Sequence, residues 1–133
     1  MLVWAYNSDI GGFMKVLRKY PHKLAEVISI ENTLSALQAE VGGDIQMITP
    51  FDHPYGVICN EMGKSLGLQP NLGLIHKDKL ADILVGTILF VRLGDEDYVD
   101  LTDDDITYIT RMIDDKNRLC VCGTDVIPTL QYA

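Results

Sequence analysis

Asn60, Glu61, Lys64, Ser65, Gln69 and Asn71 place six hydrogen-bonding side chains in one short stretch punctuated by glycines. Amides, a carboxylate and an ammonium can together hold a small polar ligand, and loops carried on buried strands commonly do so. Asn60, Glu61, Lys64 and Asn71 are therefore the candidate ligand-binding residues. The competing account is an ordered structural loop whose asparagines satisfy buried backbone groups. Within the same stretch, Gly63-Lys64-Ser65 looks like the end of a phosphate loop. That motif requires a glycine five residues before the Gly-Lys pair, so that backbone amides curl around phosphate. Ile58 stands there, and Gly56 is two residues too far away. A turn lysine is the plainer account.

The second concentration of chemistry is acidic. The net charge is −8, yet residues 1–94 carry eight basic and nine acidic side chains, and residues 106–133 carry three of each. Asp95 to Asp105 holds seven carboxylates and no cation, so the excess is local. Asp95, Glu96, Asp97 and Asp100 are the candidate partner-binding residues, suited to a basic surface on another protein. Asp95 and Asp97 begin the alternation of a calcium loop, but Val99 breaks it and no glycine follows. No metal is expected at this stretch. For zinc, Cys59, Cys120, Cys122, His22, His53 and His76 form no Cys-x-x-Cys pair, so buried thiols are the better account. Cys59 with His53 or His76 shows no recognisable nucleophile context, and no dinucleotide fingerprint is present. No catalytic residue and no cofactor follow from these patterns.

The elements that must position these residues fit one domain. A chain of 133 residues with 47% hydrophobic and 23% charged side chains has ordinary globular composition. The longest apolar stretch, Ile83 to Val91, is about half of the roughly 20 residues needed to cross a bilayer, so no membrane span is expected. An odd cysteine count argues against a disulfide framework, and the N-terminus lacks the pattern of a secretory signal. The expected location is the cytoplasm. The acidic balance argues against direct nucleic-acid binding.

Residues 1–13 read as an N-terminal extension. Leu2, Val3, Trp4 and Tyr6 favour packing against the core as a possible extra strand. The core domain is expected over 14–115, followed by a C-terminal strand or tail over 116–133. Met14 to Tyr20 and Leu24 to Ile30 suit two strands joined through Pro21. Asn32 or Thr33 caps a helix carrying Leu34, Leu37 and Val41, ended by Gly42-Gly43. Asp44 to Thr49, Val57 to Cys59 and Thr87 to Leu93 read as strands, Gly63 to Gly73 as an ordered loop, and Lys79 to Leu84 as a short turn. Thr102 caps a second helix with Ile106, Ile109, Met112 and Ile113 on its apolar face, and Arg118 to Ile127 reads as one last strand. The expected class is α+β: a mainly antiparallel sheet of about five to six strands with two helices packed on it.

From Met14 to Asp115 the order of these segments resembles the family called domain of unknown function 3846. The resemblance rests on Asn32-Thr-Leu-Ser-Ala-Leu-Gln38 with Val41-Gly-Gly43, on Val57-Ile-Cys-Asn-Glu-Met-Gly-Lys64, and on Leu66-Gly-Leu-Gln-Pro-Asn71. Asp82-Ile-Leu-Val-Gly-Thr87 and Leu101-Thr-Asp103 complete it. It implies a phage, plasmid or other mobile-element setting and no particular activity. In that setting the leading expectation is a non-enzymatic binding protein that antagonises a host defence. It would occlude a host protein or sequester a small, nucleotide-like ligand. The alternatives are a small hydrolase or transferase using Glu61 as base, and a ligand-free module that self-associates as a homo-oligomer.

Overall fold

Alternation of buried and exposed residues dictates which way each strand side chain points, and here it decides where a lysine ends up. The computed structural model describes residues 12–132. The expected extra strand within residues 1–13 therefore lies almost wholly outside the described residues.

Two strands, β1 (Phe13–Lys19) and β2 (Glu26–Glu31), pair antiparallel as the expected hairpin. Helix α1 (Leu34–Val41) follows, and the Thr33 hydroxyl accepts the Ala36 N–H at its start. Gly42 closes it at φ 80°, a left-handed cap that glycine adopts without a Cβ penalty. Then come β3 (Ile45–Ile48), β4 (Tyr55–Asn60), β5 (Pro70–His76), β6 (Lys79–Val85), β7 (Ile88–Leu93) and the short β8 (Tyr98–Val99). Helix α2 (Asp103–Met112) begins in a capping box. Thr102 Oγ1 accepts from the Asp105 N–H, and the Asp105 carboxylate accepts from the Thr102 N–H. The chain ends in a hairpin of β9 (Ile113–Cys122) and β10 (Asp125–Tyr132).

The strands form two sheets. One has the order β2-β1-β7-β4-β3, with β8 added beside β7, and the other has the order β6-β5-β10-β9. The α+β class holds, with two helices, but the protein is richer in strand than one sheet of five to six. Three expectations are corrected. Pro70 to Gly73 starts a strand, Lys79 to Val85 is a strand paired antiparallel with it, and the C-terminal segment is a hairpin turning at Gly123. Pairing is antiparallel throughout except between β5 and β10, which run parallel.

Two cores result. Leu17, Val57, Phe90, Leu72, Leu74, Leu130 and Ile109 pack between the sheets and under α2. Met14, Val16, Ile58, Leu89 and Val91 pack on the other face of the first sheet, beneath Leu37 and Val41 of α1. Strand β7 alternates between the two cores, which is why Ile88 to Val91 is an unbroken buried apolar run. By the same alternation, Lys19 lies two residues beyond Leu17 and points towards the space between the sheets.

Candidate functional site

Of the ligand-binding candidates, the asparagines serve the backbone. Asn60, at the end of β4, accepts the Met62 N–H at 2.8 Å and donates to the Val41 carbonyl at 3.1 Å, tying the loop to the end of α1. Glu61 is exposed, and its backbone N–H donates to the Asp44 carbonyl. Lys64 is exposed and pairs with Asp82 at the surface. These two border a shallow apolar depression of about 380 Å³ with Leu80, Ile83, Val85 and Cys122. Gly63 is explained by packing, since a Cβ there would sit 2.8 Å from the Val85 side chain. Asn71 is completely buried. The four candidates do not converge on one pocket.

The acidic segment divides in the same way. Asp95 and Glu96 are exposed in the turn between β7 and β8, which the Gly94 N–H closes on the Asp97 carbonyl at 2.9 Å. Asp97 accepts from the Tyr98 N–H, and Asp100 accepts from the Lys15 N–H, each at 2.8 Å. Asp105 turns inward and is 4% exposed. It accepts from the Tyr55 hydroxyl, from Arg92 at 2.7 Å and from the Thr102 N–H. Burial works against its ionisation, but those hydrogen bonds outweigh it and hold the carboxyl below the usual range. Burial and the neighbouring carboxylate push Tyr55 up to about 12. His53 is exposed, and its ring centroid lies 4.5 Å from that of Tyr108. Burial raises the Cys59 thiol, an inert environment for a would-be nucleophile. Among the described residues, no three His, Cys, Asp or Glu side chains gather where they could hold a metal.

A second, larger opening lies at the other end of β1 from the acidic turn. A cavity of about 690 Å³ sits where the end of β1, the last turn of α2 and the β9–β10 hairpin meet. Lys19, His22, Lys23, Leu24 and Ala25 come from β1 and the turn after it. Thr110 comes from the last turn of α2, and Ile113 from the start of β9. Asp115, Lys116, Leu119, Val126 and Pro128 come from the hairpin. The hairpin side depends on a bulge: Asp114 faces Thr129 and Leu119 faces Pro128, so residues 115–118 loop out of register. The Asp114 carboxylate accepts the Lys116 and Asn117 N–H groups at 3.0 and 2.8 Å, which holds the bulge and lowers its own pKa. Across the cavity, His22 takes φ 61°, a left-handed conformation tolerated in tight turns, and its Nε2 lies 2.7 Å from Asp125.

Lys19 is the unusual group here. It is 3% exposed, and among the described residues its ammonium has no carboxylate within ion-pair distance. Nζ donates to Asn71 Oδ1 at 2.7 Å and, at 3.4 Å, to the Asn71 carbonyl. Asn71 Nδ2 returns a bond to the Lys19 carbonyl at 2.8 Å and another to the Gly86 carbonyl at 2.7 Å. Burial lowers the Lys19 pKa to about 8, and Asp115 opposes that shift from a distance. Three lysines thus face one cavity in a chain of net charge −8. The acidic turn sits towards the opposite end of β1, because Asp100 reaches Lys15 rather than Lys19.

Sequence reasoning selected Asn71 but missed Lys19, Lys23, Asp115 and Lys116. The available signal was the period of β1, which puts a lysine on the same face as Leu17. The polar run Asp114-Asp-Lys-Asn117 just after an amphipathic helix was a second signal. No curated protein and no solved structure matches the chain. The model of the family described as Domain of unknown function (DUF3846) matches residues 14–114, which include Lys19 and Asn71 but stop before Asp115. The chain belongs to that family.

Proposed function

We propose that this domain is a non-enzymatic binding protein that takes up a small anionic, nucleotide-like ligand in the Lys19 cavity. The observation that carries this is a buried ammonium whose acceptors among the described residues are neutral, in a cavity that also presents Lys23 and Lys116. Burying a charge without a counter-charge is unfavourable, and an anion entering the cavity would supply one. The apolar walls of Leu24, Ala25, Leu119, Val126 and Pro128 suit the carbon skeleton that carries such an anion. The volume is that of a small-molecule site. Glu61 faces solvent and Cys59 is sealed in the core, so neither supports a hydrolase or transferase. In a phage or mobile element, such a site would serve to sequester a host nucleotide signal and so antagonise a defence system.

Native mass spectrometry of the protein purified directly from its cells tests this. A retained small molecule is expected on the wild type, and the Lys23→Glu/Lys116→Glu variant should lose it. Equal retention by the variant would place the ligand elsewhere.

A second use is favoured by Asp95 and Glu96, which are exposed at the tip of a turn while Asp97 and Asp100 are engaged by backbone amides. That tip could occlude a basic site on a host protein. Capture of such a partner should be abolished by Asp95→Lys/Glu96→Lys, and capture unaffected by that reversal would rule the tip out.

A further inference from the structure

We propose that Lys19 captures carbonyl-bearing anions covalently, as a reversible imine formed inside the cavity. This inference rests on the anion binding proposed for the same cavity and extends it beyond nucleotides to a second ligand class: an aldehyde or ketone that also carries a phosphate or carboxylate.

A lysine held by a carboxylate stays an ammonium and has no lone pair to offer. Lys19 is held instead by the neutral oxygens of Asn71, which can accept from an amine as well as from an ammonium and add no charge that would fix the proton. Burial lowers its pKa to about 8, so at pH 7 about 10% of it is free amine. An ordinary lysine is about 300-fold poorer in that form. Desolvated lysines of this kind are the ones used as amine nucleophiles.

The product also fits. Nζ attacks the carbonyl carbon, the carbonyl oxygen gains a proton, and the carbinolamine then loses water. One nitrogen–carbon double bond forms, the carbonyl C=O breaks, and no oxidant or reductant is consumed. A protonated imine keeps a single N–H. That hydrogen can retain the 2.7 Å bond to Asn71 Oδ1 while the 3.4 Å contact to the Asn71 carbonyl is surrendered. Asp115 lines the same cavity, and its charge favours the protonated imine. Lys23 and Lys116 remain free for the anionic group of the ligand.

The test uses the full chain with pyridoxal 5′-phosphate, an aldehyde bearing a phosphate, trapped at pH 7.5 with sodium cyanoborohydride and mapped by peptide mass spectrometry. Binding of pyridoxine 5′-phosphate, which has an alcohol in place of the aldehyde, is measured in parallel by thermal shift. The expected result is modification of Lys19 at least tenfold faster than of any other lysine. Lys19→Arg should lose that adduct, and Lys116→Ala should slow its formation. If both compounds bind but Lys19 stays unmodified, covalent capture is overturned and anion binding survives. If neither binds and adducts scatter over exposed lysines, capture at Lys19 is overturned.

Discussion

Asn71 grips Lys19 at both ends: its Oδ1 accepts from Nζ at 2.7 Å, and its Nδ2 donates to the Lys19 carbonyl at 2.8 Å. One side chain at the start of β5 thereby joins the two sheets and seats the cavity lysine. Truncation by Asn71→Ala removes three side-chain bonds, leaving the Lys19 and Gly86 carbonyls without these donors and the ammonium with only the 3.4 Å contact to the backbone carbonyl of residue 71. We expect a loss of about 2–4 kcal/mol in unfolding free energy, read by urea denaturation. A loss below about 1 kcal/mol would show that the clamp contributes little.

Lys19 should also write itself into the pH dependence of stability. Its folded pKa is about 8 against its ordinary 10.5, so between those values the unfolded chain binds more protons. Stability must then rise with pH across that window, and be lost as pH falls through about 8. The full shift corresponds to roughly 3 kcal/mol. Tyr55 acts in the opposite sense above pH 10, because its pKa is raised to about 12. The clean comparison is wild type minus Lys19→Met between pH 8 and 10, where the difference should move in favour of the wild type.

Asp105 predicts an acid limb. Asp105→Asn removes the charge that faces Arg92 and the cap that faces the Thr102 N–H, and should cost about 2–4 kcal/mol near neutral pH. The wild-type carboxyl is held below its usual range, so its contribution is present above about pH 4 and fades as pH falls through the lower folded value. Chemical denaturation of both proteins from pH 7 to pH 2 should show their stabilities converging in acid.

Glu61→Gln and Lys64→Ala should be silent. Glu61 faces solvent, and the Lys64–Asp82 pair has exposed side chains on both partners. Changes within about 0.5 kcal/mol in stability, and ligand affinity unchanged within about twofold, are expected by denaturation and calorimetry. A large loss of affinity in either variant would return the site to the loop.

Much of the scaffold was legible in local chemistry. Thr33 and Thr102 cap the helices they were expected to cap, Gly42 ends the first, and Pro21 turns the first hairpin. Strand β5 was hidden because Pro70 and Gly73 are strand-breaking types, although a Cβ at Gly73 would press on Cys120, Leu80 and Thr129. Lys79 to Val85 lacks a clean alternation because it mixes exposed and half-buried positions. The cavity was illegible for a different reason. Lys19 and Asn71 are 52 residues apart and meet only when two sheets pack face to face, and the walls at Asp115 and Lys116 depend on a bulge opposite Pro128. The hydrogen-bonding capacity of Asn60 and Asn71 is visible in the sequence, but in the folded chain it goes to backbone groups and, for Asn71, also to Lys19.

The most direct test of the central claim is the melting temperature of the wild type and the Lys23→Glu/Lys116→Glu variant, measured side by side across nucleotides, cyclic nucleotides and sugar phosphates. Both substituted positions are exposed, so the fold should tolerate the change. At a hundredfold excess over Kd, a ligand contributes about 2.7 kcal/mol, which is a rise of several degrees. The account predicts that at least one anion gives such a rise in the wild type and little or none in the variant. A panel that shifts neither protein, or both equally, would contradict it.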